Sequence, residues 1–383
     1  MSKPVAAAAI LRLAEERHFD LDADVNTLLR SWHVPWPADS ARPVTLRGLL
    51  SHNAGINVHG FAGYDRDAAV PTLLEVLDGA PPANNEAVRV TATPGTTTEY
   101  SGGGTSIAQQ VAVDVSGEPF SAFMQQTLLG PLRMTHSTFE QPLPRTLWPL
   151  AADGYYVDGT PVHRGWHVYP MMAAAGLWTT PADLATFVIA IQNALHGRGM
   201  PPIDRNVARE MTTKTSQSFA LGPEIEPGYF THNGANEGFQ GIFVGLTAAG
   251  RGVVVMTNSD DGLALADEVV HSVANAYGWP VLRSQPKTAI PLTAAAIRDV
   301  AGKYGSNTGG TNVTLAVTQA PGGHALSLRM SFNGHPAQLH AAQLYAEAPL
   351  RFFTLGGASL VFKRTADGRV GSVQIGNTVF ERL

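Results

Sequence analysis

Cysteine is absent from this chain of 383 residues. Without cysteine there can be no disulfide, no thiolate metal site and no cysteine nucleophile. The absence is compatible with the cytosol and equally with the periplasm or a secreted state. The sequence therefore leaves the compartment open, and it says nothing about oligomeric state.

Charge is scarce as well, and neither sign dominates. The chain carries 26 Lys and Arg against 31 Asp and Glu, which gives a formal net charge of -5. Nucleic acids and anionic membrane surfaces attract proteins with a basic surplus, so neither is predicted as a partner. Long hydrophobic runs are also missing, since apolar segments such as Gly252–Met256 are far too short to span a bilayer. We therefore predict no membrane span.

The chain does contain enough apolar material for two domains. Hydrophobic residues make up 44% of it, which suits a globular protein of this length. In residues 1–282, helical and strand-like patterns alternate, which predicts a mixed α/β domain. Residues 283–290 are predicted to form a linker. In residues 291–383, short alternating runs such as Val313–Val317 and Ser359–Lys363 predict a small all-β domain.

Lys3 lies at the predicted start of the first helix, because apolar residues such as Ile10 and Leu13 follow it near helical spacing. A serine three residues before such a lysine would lie one turn away, where an amine can take a proton from a hydroxyl. That position is directly before Met1, and Ser2 is out of register. Taken alone, Lys3 is explained more simply as a solvated lysine near a chain end.

A second candidate is Tyr100, which ends a short extended piece and is followed by Ser101 and a glycine run. Glycines such as Gly102 let a substrate or a neighbouring backbone approach the tyrosine oxygen closely. A tyrosine buried in a packing corner would give the same pattern.

A third candidate is His232, which a strand with an exposed edge is predicted to carry. The strand ends in small residues, Asn233, Gly234 and Ala235. An incidental histidine at the transition from a strand to a loop explains this segment just as well.

In this order, Lys3, Tyr100–Gly102 and His232–Gly234 resemble the motifs of the serine β-lactamase and penicillin-binding-protein-like family. The resemblance is to its class C β-lactamase-related esterases and peptidases in particular. Members carry Ser-x-x-Lys, then Tyr-x-Asn or a variant, then Lys or His followed by x-Gly. The joint match is much more specific than any of the three segments alone.

Flanking segments agree with this resemblance. Leu49–Ile56 is similar to the family's LLTHTSGL segment, and Ala174–Leu184 is similar to the start of a family helix. The resemblance extends over roughly residues 1–280. The later part of the chain resembles, more weakly, the lipocalin-like barrels appended to some of these hydrolases.

The resemblance implies an α/β (α+β) fold of the β-lactamase and transpeptidase type, with an antiparallel sheet flanked by helices and a helical subdomain. It also implies an acyl-enzyme mechanism, in which a serine attacks a carbonyl while Lys3 and Tyr100 share its proton. His232 would orient Tyr100 and bind the polar end of the substrate. The substrate-contacting positions implied are Ser101, Gly102, Asn233, Gly234 and Ala235, the last through an oxyanion-binding N–H.

The implied substrate is a small-molecule ester, amide or short peptide. Gly102 replaces a family asparagine that grips an acylamide side chain, so a carboxylesterase is expected more than a β-lactamase. No cofactor is predicted. No metal site is predicted either, because His-Glu-x-x-His is absent and His52 with His59 make a poor ligand pair.

The position of the motifs also implies something about the start of the chain. Family members carry a few dozen residues before the serine, so we expect this sequence to begin inside the family's domain, after its nucleophile. As given, the chain would then lack the serine and be inactive. A conventional α/β-hydrolase is not predicted, because no Gly-x-Ser-x-Gly elbow occurs. The alternative is a non-catalytic member whose cleft binds a ligand or a partner.

Overall fold

The structure is a computed structural model that describes residues 1–36, 42–284, 286–308, 311–320, 325–332, 335–336, 342–355, 357–376 and 378–383. Contacts divide the chain into two compact units, Met1–Ala266 and Asp267–Leu383. The predicted boundary at residue 282 and the predicted linker 283–290 fall inside the second unit, and Gln285 of that linker lies outside the described residues. The boundary and the linker stay predictions.

Helices are distributed along the whole of the first unit. They are α1 (Ser2–Arg17), α2 (Leu46–Leu50), α3 (Leu73–Asp78), α4 (Gly102–Ser116), α5 (Phe120–Met124), α6 (Met172–Ala175), α7 (Pro181–Leu195), α8 (Arg205–Glu210) and α9 (Gly262–Ala276), which continues past the end of the unit. Short 3-10 helices lie at Val25–Thr27 and Arg145–Leu150, and a π turn lies at Gln125–Leu129.

Helix α1 is almost entirely buried, and its position fixes that of Lys3. Residues Val5–Ile10 have no exposed surface. A helix that is apolar on all sides is a core helix, and the small alanine side chains let α4 and α6 pack closely against it. The helix begins at Ser2, as predicted, so Lys3 lies in its first turn. It ends at Arg17, and the next residue, His18, has a left-handed backbone with φ of 55°.

Helix α4, which follows Tyr100, starts inside the glycine run, because Gly102 is already the first residue of the helix. Ser101 caps this end, and its hydroxyl accepts a hydrogen bond from the backbone N–H of Gly104 at 2.9 Å. A Cβ atom at Gly103 would lie 2.9 Å from the carbonyl oxygen of Asn57. The glycines therefore let the helix start directly against a neighbouring loop.

The main sheet of the first unit is antiparallel and has the order β3-β4-β5-β6. Its strands are β3 (Glu224–Glu226), β4 (Tyr229–Asn236), β5 (Phe239–Leu246) and β6 (Gly252–Thr257), while β1 (Tyr64–Asp65) and β2 (His167–Val168) form a separate pair.

Strand β4 lies between β3 and β5, so it is an edge strand over only part of its length. Strand β3 pairs only with Tyr229–Thr231, whereas β5 pairs with all of β4. The predicted exposed edge therefore begins at His232. Strands β5 and β6 form a hairpin. Gln192 of α7 holds it in place by donating hydrogen bonds to the carbonyl oxygens of Leu246 and Arg251.

The second unit contains α10 (Ala294–Val300) and an eight-stranded barrel. The barrel strands follow chain order, each antiparallel to the next, and the last pairs with the first. They are β7 (Gly302–Thr308), β8 (Thr311–Gln319), β9 (Leu326–Phe332), β11 (Ala342–Ala348), β12 (Arg351–Phe353), β13 (Ser359–Arg364), β14 (Val370–Ile375) and β15 (Thr378–Arg382), with β10 (His335–Pro336) added beside β9. This is the predicted all-β domain, in its barrel form.

Apolar side chains fill the described part of the barrel. Leu315 and Val317 point inward with a spacing of two, as do Leu360 and Phe362. The rings of Phe352 and Phe362 meet edge to face, with centroids 5.3 Å apart. The predicted fold class is confirmed for both parts of the chain. Within the described residues, none of the helices combines the length and hydrophobicity needed to cross a bilayer.

Candidate active site

Lys3, Tyr100 and His232 meet beside the first turn of α1. The Lys3 amine lies 4.7 Å from the centroid of the Tyr100 ring, and the Tyr100 hydroxyl lies 3.5 Å from Nε2 of His232, 132 residues further along the chain. Lys3 also donates a hydrogen bond of 3.0 Å to the carbonyl oxygen of Ala174. The three motif segments thus converge on one place, as the resemblance requires.

Burial sets the charge state of these groups. It lowers the pKa of Lys3 from 10.5 to about 8. It raises the pKa of Tyr100, and the charge of Glu224 adds to this effect. It also lowers the pKa of His232 well below its usual value, and the charge of Lys3 adds to the effect. At pH 7, Tyr100 is therefore a neutral phenol, His232 is a neutral imidazole, and about a tenth of Lys3 is a free amine.

Two further histidines surround Tyr100, and the motif comparison missed both. The His52 ring lies 4.4 Å from the Tyr100 ring and the His59 ring 5.0 Å from it. His52 accepts a hydrogen bond from the backbone N–H of Ser101 at Nδ1, so its neutral ring carries the proton on Nε2. Within the described residues, Nε2 is buried and has no hydrogen-bond partner. The signal in the sequence was the segment around His52 that resembles LLTHTSGL.

Burial also holds His52 in its neutral form. It lowers the pKa of His52 to about 3, and the charge of Lys3 adds to the effect. The ring touches Phe219 edge to face at 4.7 Å. His52 therefore supports the backbone and ring of Tyr100 without bringing a charge near Lys3.

Two glycines let the start of α1 touch the sheet. Gly234 and Gly241 are direct cross-strand partners on β4 and β5. A Cβ atom at Gly234 would lie 2.7 Å from the Met1 amine, and one at Gly241 would lie 2.8 Å from the Met1 Cε. The Met1 amine lies 3.4 Å from the carbonyl oxygen of Asn233. The close approach of Met1 thus explains Gly234, the glycine of the third motif. It also explains Gly241, the cross-strand partner of Gly234, which the motif alone did not reveal.

Ser101 and Gly102 have structural partners. Ser101 is 3% exposed, and its hydroxyl donates to the carbonyl oxygen of Asn57 while it caps α4. Its position explains the helix start and does not favour the predicted substrate contact. A Cβ atom at Gly102 would lie 3.0 Å from Phe61 and 3.2 Å from the carbonyl oxygen of His59. The space of a larger side chain at Gly102 is therefore already occupied.

A cavity of about 410 Å³ adjoins this cluster, and Met1, Gly234 and Ala235 line it. Lys3, Tyr100 and His232 are not among its lining residues. The cavity therefore begins at the start of α1 and extends away from the titratable groups. Ser2 also lines it, with its hydroxyl accepting a hydrogen bond from the Leu177 N–H at 3.2 Å.

A separate group of potential metal ligands lies at the surface. One ligand atom each of Asp65, Asp67 and His163 lies within 4.8 Å of the others, and His167 Nε2 lies 3.4 Å from Asp65. His163 and His167 are spaced as His-x-x-x-His, a pattern visible in the sequence. However, Arg164 already pairs with Asp67 at 2.8 Å, and exposed acidic groups commonly gather without an ion. We assign no metal to this group.

Comparison with known families agrees with the motifs. The sequence profile of the family described as Beta-lactamase matches residues 1–277. The chain belongs to the beta-lactamase family. Among curated proteins, it is 22% identical over 276 residues to PbpX of Bacillus subtilis (strain 168), whose name places it among the penicillin-binding proteins. The match covers 71% of this chain, which spans 63% of the length of PbpX.

Solved structures show the same fold. The octameric penicillin-binding protein homologue from Pyrococcus abyssi superposes with a TM-score of 0.58 at 20% identity, covering 99% of this chain and 86% of that one. The D-amino acid amidase from Ochrobactrum anthropi SV3, solved with L-phenylalanine amide, gives a TM-score of 0.53 at 21% identity, covering 67% of this chain and 74% of that one. At these identities the likeness establishes the fold, in a family that includes hydrolases.

Proposed function

We propose that this protein is a serine hydrolase that cleaves an ester or an amide through an acyl-enzyme at a Ser-Lys-Tyr centre. The observation that carries the proposal is the meeting of Lys3, Tyr100 and His232 at the start of α1. Burying an amine, a phenol and an imidazole together costs desolvation free energy, and apolar packing around them does not offset that cost. Membership of the beta-lactamase family supports the same chemistry.

The nucleophile in this proposal is a serine directly before Met1. That position is three residues before Lys3 and therefore one helical turn from it. The Met1 amine lies at the carbonyl oxygen of Asn233, so a residue joined to Met1 would enter the site beside the open edge of β4. Ser2 is committed elsewhere, because its hydroxyl accepts the hydrogen bond from Leu177.

In the acylation step, the neutral Lys3 amine takes the serine proton, directly or through the Tyr100 hydroxyl, as the serine oxygen bonds to the substrate carbonyl carbon. The negative charge on the carbonyl oxygen would be received by the N–H groups of Ala235 and of the serine itself. Collapse breaks the bond to the alcohol or amine, which leaves with the proton returned from Lys3. Water then splits the acyl-serine bond by the same proton transfers in reverse and releases the acid.

Tyr100 acts in this scheme as a proton carrier and not as a phenolate base. Its pKa is raised by burial, so the hydroxyl stays protonated at neutral pH and can accept one proton while it donates another. His232, neutral and 1% exposed, holds the Tyr100 hydroxyl from the other side.

Esters are the preferred substrates in this proposal. Gly102 has no side chain to hold an acylamide group, and Phe61 with the backbone of His59 occupies the space where one would lie. An ester needs less of this grip, because its leaving group departs more readily than an amine.

The test compares two proteins that differ at one atom of one residue. The serine-extended protein carries Gly-Gly-Ser before Met1, and the alanine-extended protein carries Gly-Gly-Ala. We expect the serine-extended protein to hydrolyse p-nitrophenyl acetate at least about 100-fold faster, and to take up a single fluorophosphonate label that intact mass spectrometry detects. Equal rates in the two proteins, with no label in either, would leave the non-catalytic binding protein as the better account.

A further inference from the structure

The cavity beside Met1 has aromatic walls. Trp166, Tyr169, Trp178 and Phe239 all line it. The rings of Trp166 and Trp178 meet edge to face at 5.4 Å, and those of Trp178 and Phe239 at 6.3 Å. Such rings offer apolar area together with electron-rich faces that attract a cation. Because the cavity begins at Met1, next to the proposed nucleophile, it is placed to hold the acyl part of a substrate.

Glu237 is the one carboxylate among the described residues that line the cavity, and these include no lysine or arginine. The lining also holds two groups that can be protonated. His167 lies 3.4 Å from Asp65, and burial lowers the pKa of the Met1 amine to about 4, so that this amine is neutral at pH 7. Arg66 packs against Trp166, 4.1 Å from the ring centroid, but it is not part of the lining. A substrate carboxylate would therefore meet a like charge at Glu237 and no lysine or arginine, whereas a substrate ammonium would meet an opposite charge there.

Two carboxylates, those of Glu237 and Asp260, act on tyrosines at this end of the cavity. Burial is the main cause that raises the pKa of Tyr169, and the charges of Glu237 and Asp260 add to it. Burial also raises the pKa of Tyr156, to which the charge of Glu237, a side-chain hydrogen bond with Glu237 and the charges of Asp65 and Asp260 contribute further. Asp260 accepts from the backbone N–H of Gly238 at 2.6 Å through one oxygen, while its other oxygen is buried without a hydrogen-bond partner in the described structure.

We propose that the acyl group of the substrate is an amino acid with a free ammonium and an apolar side chain, and that Glu237 binds the ammonium. This inference rests on the proposed function, because the cavity is read as the acyl site of that reaction. Strand β4 ends at Asn236, so Glu237 lies in the turn to β5, two residues after Ala235. In this inference the ammonium, on the carbon next to the reacting carbonyl, binds the Glu237 carboxylate at this turn. The apolar side chain then lies against the aromatic walls.

The experiment compares two esters that differ in the ammonium alone, phenylalanine methyl ester (each enantiomer) and methyl 3-phenylpropanoate. With the serine-extended protein, we expect kcat/KM for the better phenylalanine ester to exceed that for the neutral ester roughly 10- to 100-fold, the range of a hydrogen bond to a charged group. Glu237→Gln should reduce this ratio at least tenfold. Glu226→Gln removes the same charge from an exposed position on β3 and should leave the ratio unchanged.

A binding measurement separates failure of this inference from failure of the proposed function. Titration calorimetry on the alanine-extended protein compares phenylalanine amide with 3-phenylpropanamide. Tighter binding of the cationic amide that Glu237→Gln abolishes would support the inference even if no ester is hydrolysed. Hydrolysis of both esters at equal rates would overturn the inference. It would also be overturned if Glu237→Gln changed both the ratio of kcat/KM for the two esters and the preference for the cationic amide by less than twofold.

Discussion

The two units of this chain bury very different side chains. Among the described residues, every buried polar or charged side chain except Thr354 lies between Ser2 and His232. The described barrel interior is instead built from aliphatic and aromatic residues such as Leu315 and Phe352. Burial of a polar group costs free energy unless the group finds partners, so a concentration of such groups in one unit calls for an explanation.

Most of the buried polar groups in the first unit have structural partners. Asp114, for example, accepts hydrogen bonds from the backbone N–H groups of Arg30 and Ser31. Buried atoms without a hydrogen-bond partner also occur at Asn85 and Asp260, but the cluster around Tyr100 combines such an atom, Nε2 of His52, with a lowered pKa at Lys3. Incomplete satisfaction and a shifted pKa at one place are typical of a reactive site. The barrel shows that this chain can build a core without such groups.

Removal of the Tyr100 hydroxyl should have the largest effect, because it tests directly whether the buried polar groups of the first unit are catalytic. In the serine-extended protein, Tyr100→Phe should lower kcat/KM for p-nitrophenyl acetate about 1,000-fold or more, because a proton carrier is lost while the ring still packs. Tyr155→Phe, at a tyrosine that is 38% exposed, is the control and should change little. A Tyr100→Phe protein with an unchanged rate would exclude this residue from the mechanism.

A substitution in the core of the barrel should lower the stability of the protein. Phe352 is fully buried and contacts Phe362, so Phe352→Ala should lower the free energy of unfolding by about 3 to 5 kcal/mol. Chemical denaturation followed by circular dichroism measures this change. Leu355→Ala, at a residue that is 69% exposed, should have an effect below about 0.5 kcal/mol. Equal effects of the two variants would contradict a packed barrel core.

The pH dependence tests the charge state of Lys3. Burial lowers the pKa of this amine to about 8, and only the neutral amine can accept the serine proton. The rate of the serine-extended protein should therefore rise with pH, roughly 50-fold between pH 6 and pH 8, and level off above that. Subtracting the rate of the alanine-extended protein removes hydroxide-catalysed hydrolysis. A flat profile over this range would show that a buried amine does not limit the reaction.

The smallest expected effect concerns Gly102. Restoring the family residue with Gly102→Asn should lower the free energy of unfolding by about 1 to 3 kcal/mol, because Phe61 and the His59 carbonyl lie against the missing side chain. Gly60→Asn, at a glycine with open space around it, is the matched control. A stable Gly102→Asn protein that gains β-lactam hydrolysis would contradict the proposed ester preference.

Local patterns in the sequence were sufficient for several elements. The helix after Lys3 and the strands that contain Val313–Val317 and Ser359–Lys363 all form where periodicity predicts them. The order of three short motifs was enough to identify the family. Such features depend on neighbouring residues, which is why they can be read from a single chain.

Other features depended on packing between distant segments. The pattern did not reveal the barrel strands Gly302–Thr308, Ala342–Ala348 and Thr378–Arg382, because polar and small residues interrupt their alternation and only closure of the barrel pairs them. The glycine run became the start of α4 because Ser101 caps it and a loop lies against it. Intrinsic propensity alone disfavours glycine in a helix.

From the residues alone, the fold family, the candidates Lys3, Tyr100 and His232, and a mixed part followed by an all-β part could be predicted. Three further features came only from packing between distant segments: His52 and His59 surround Tyr100, β4 is open only from His232 onward, and Glu237 shares a cavity with four aromatic rings. Spacing along the chain reports contacts within one element. The electrostatic environment of a group is instead set by residues that long-range packing brings to it.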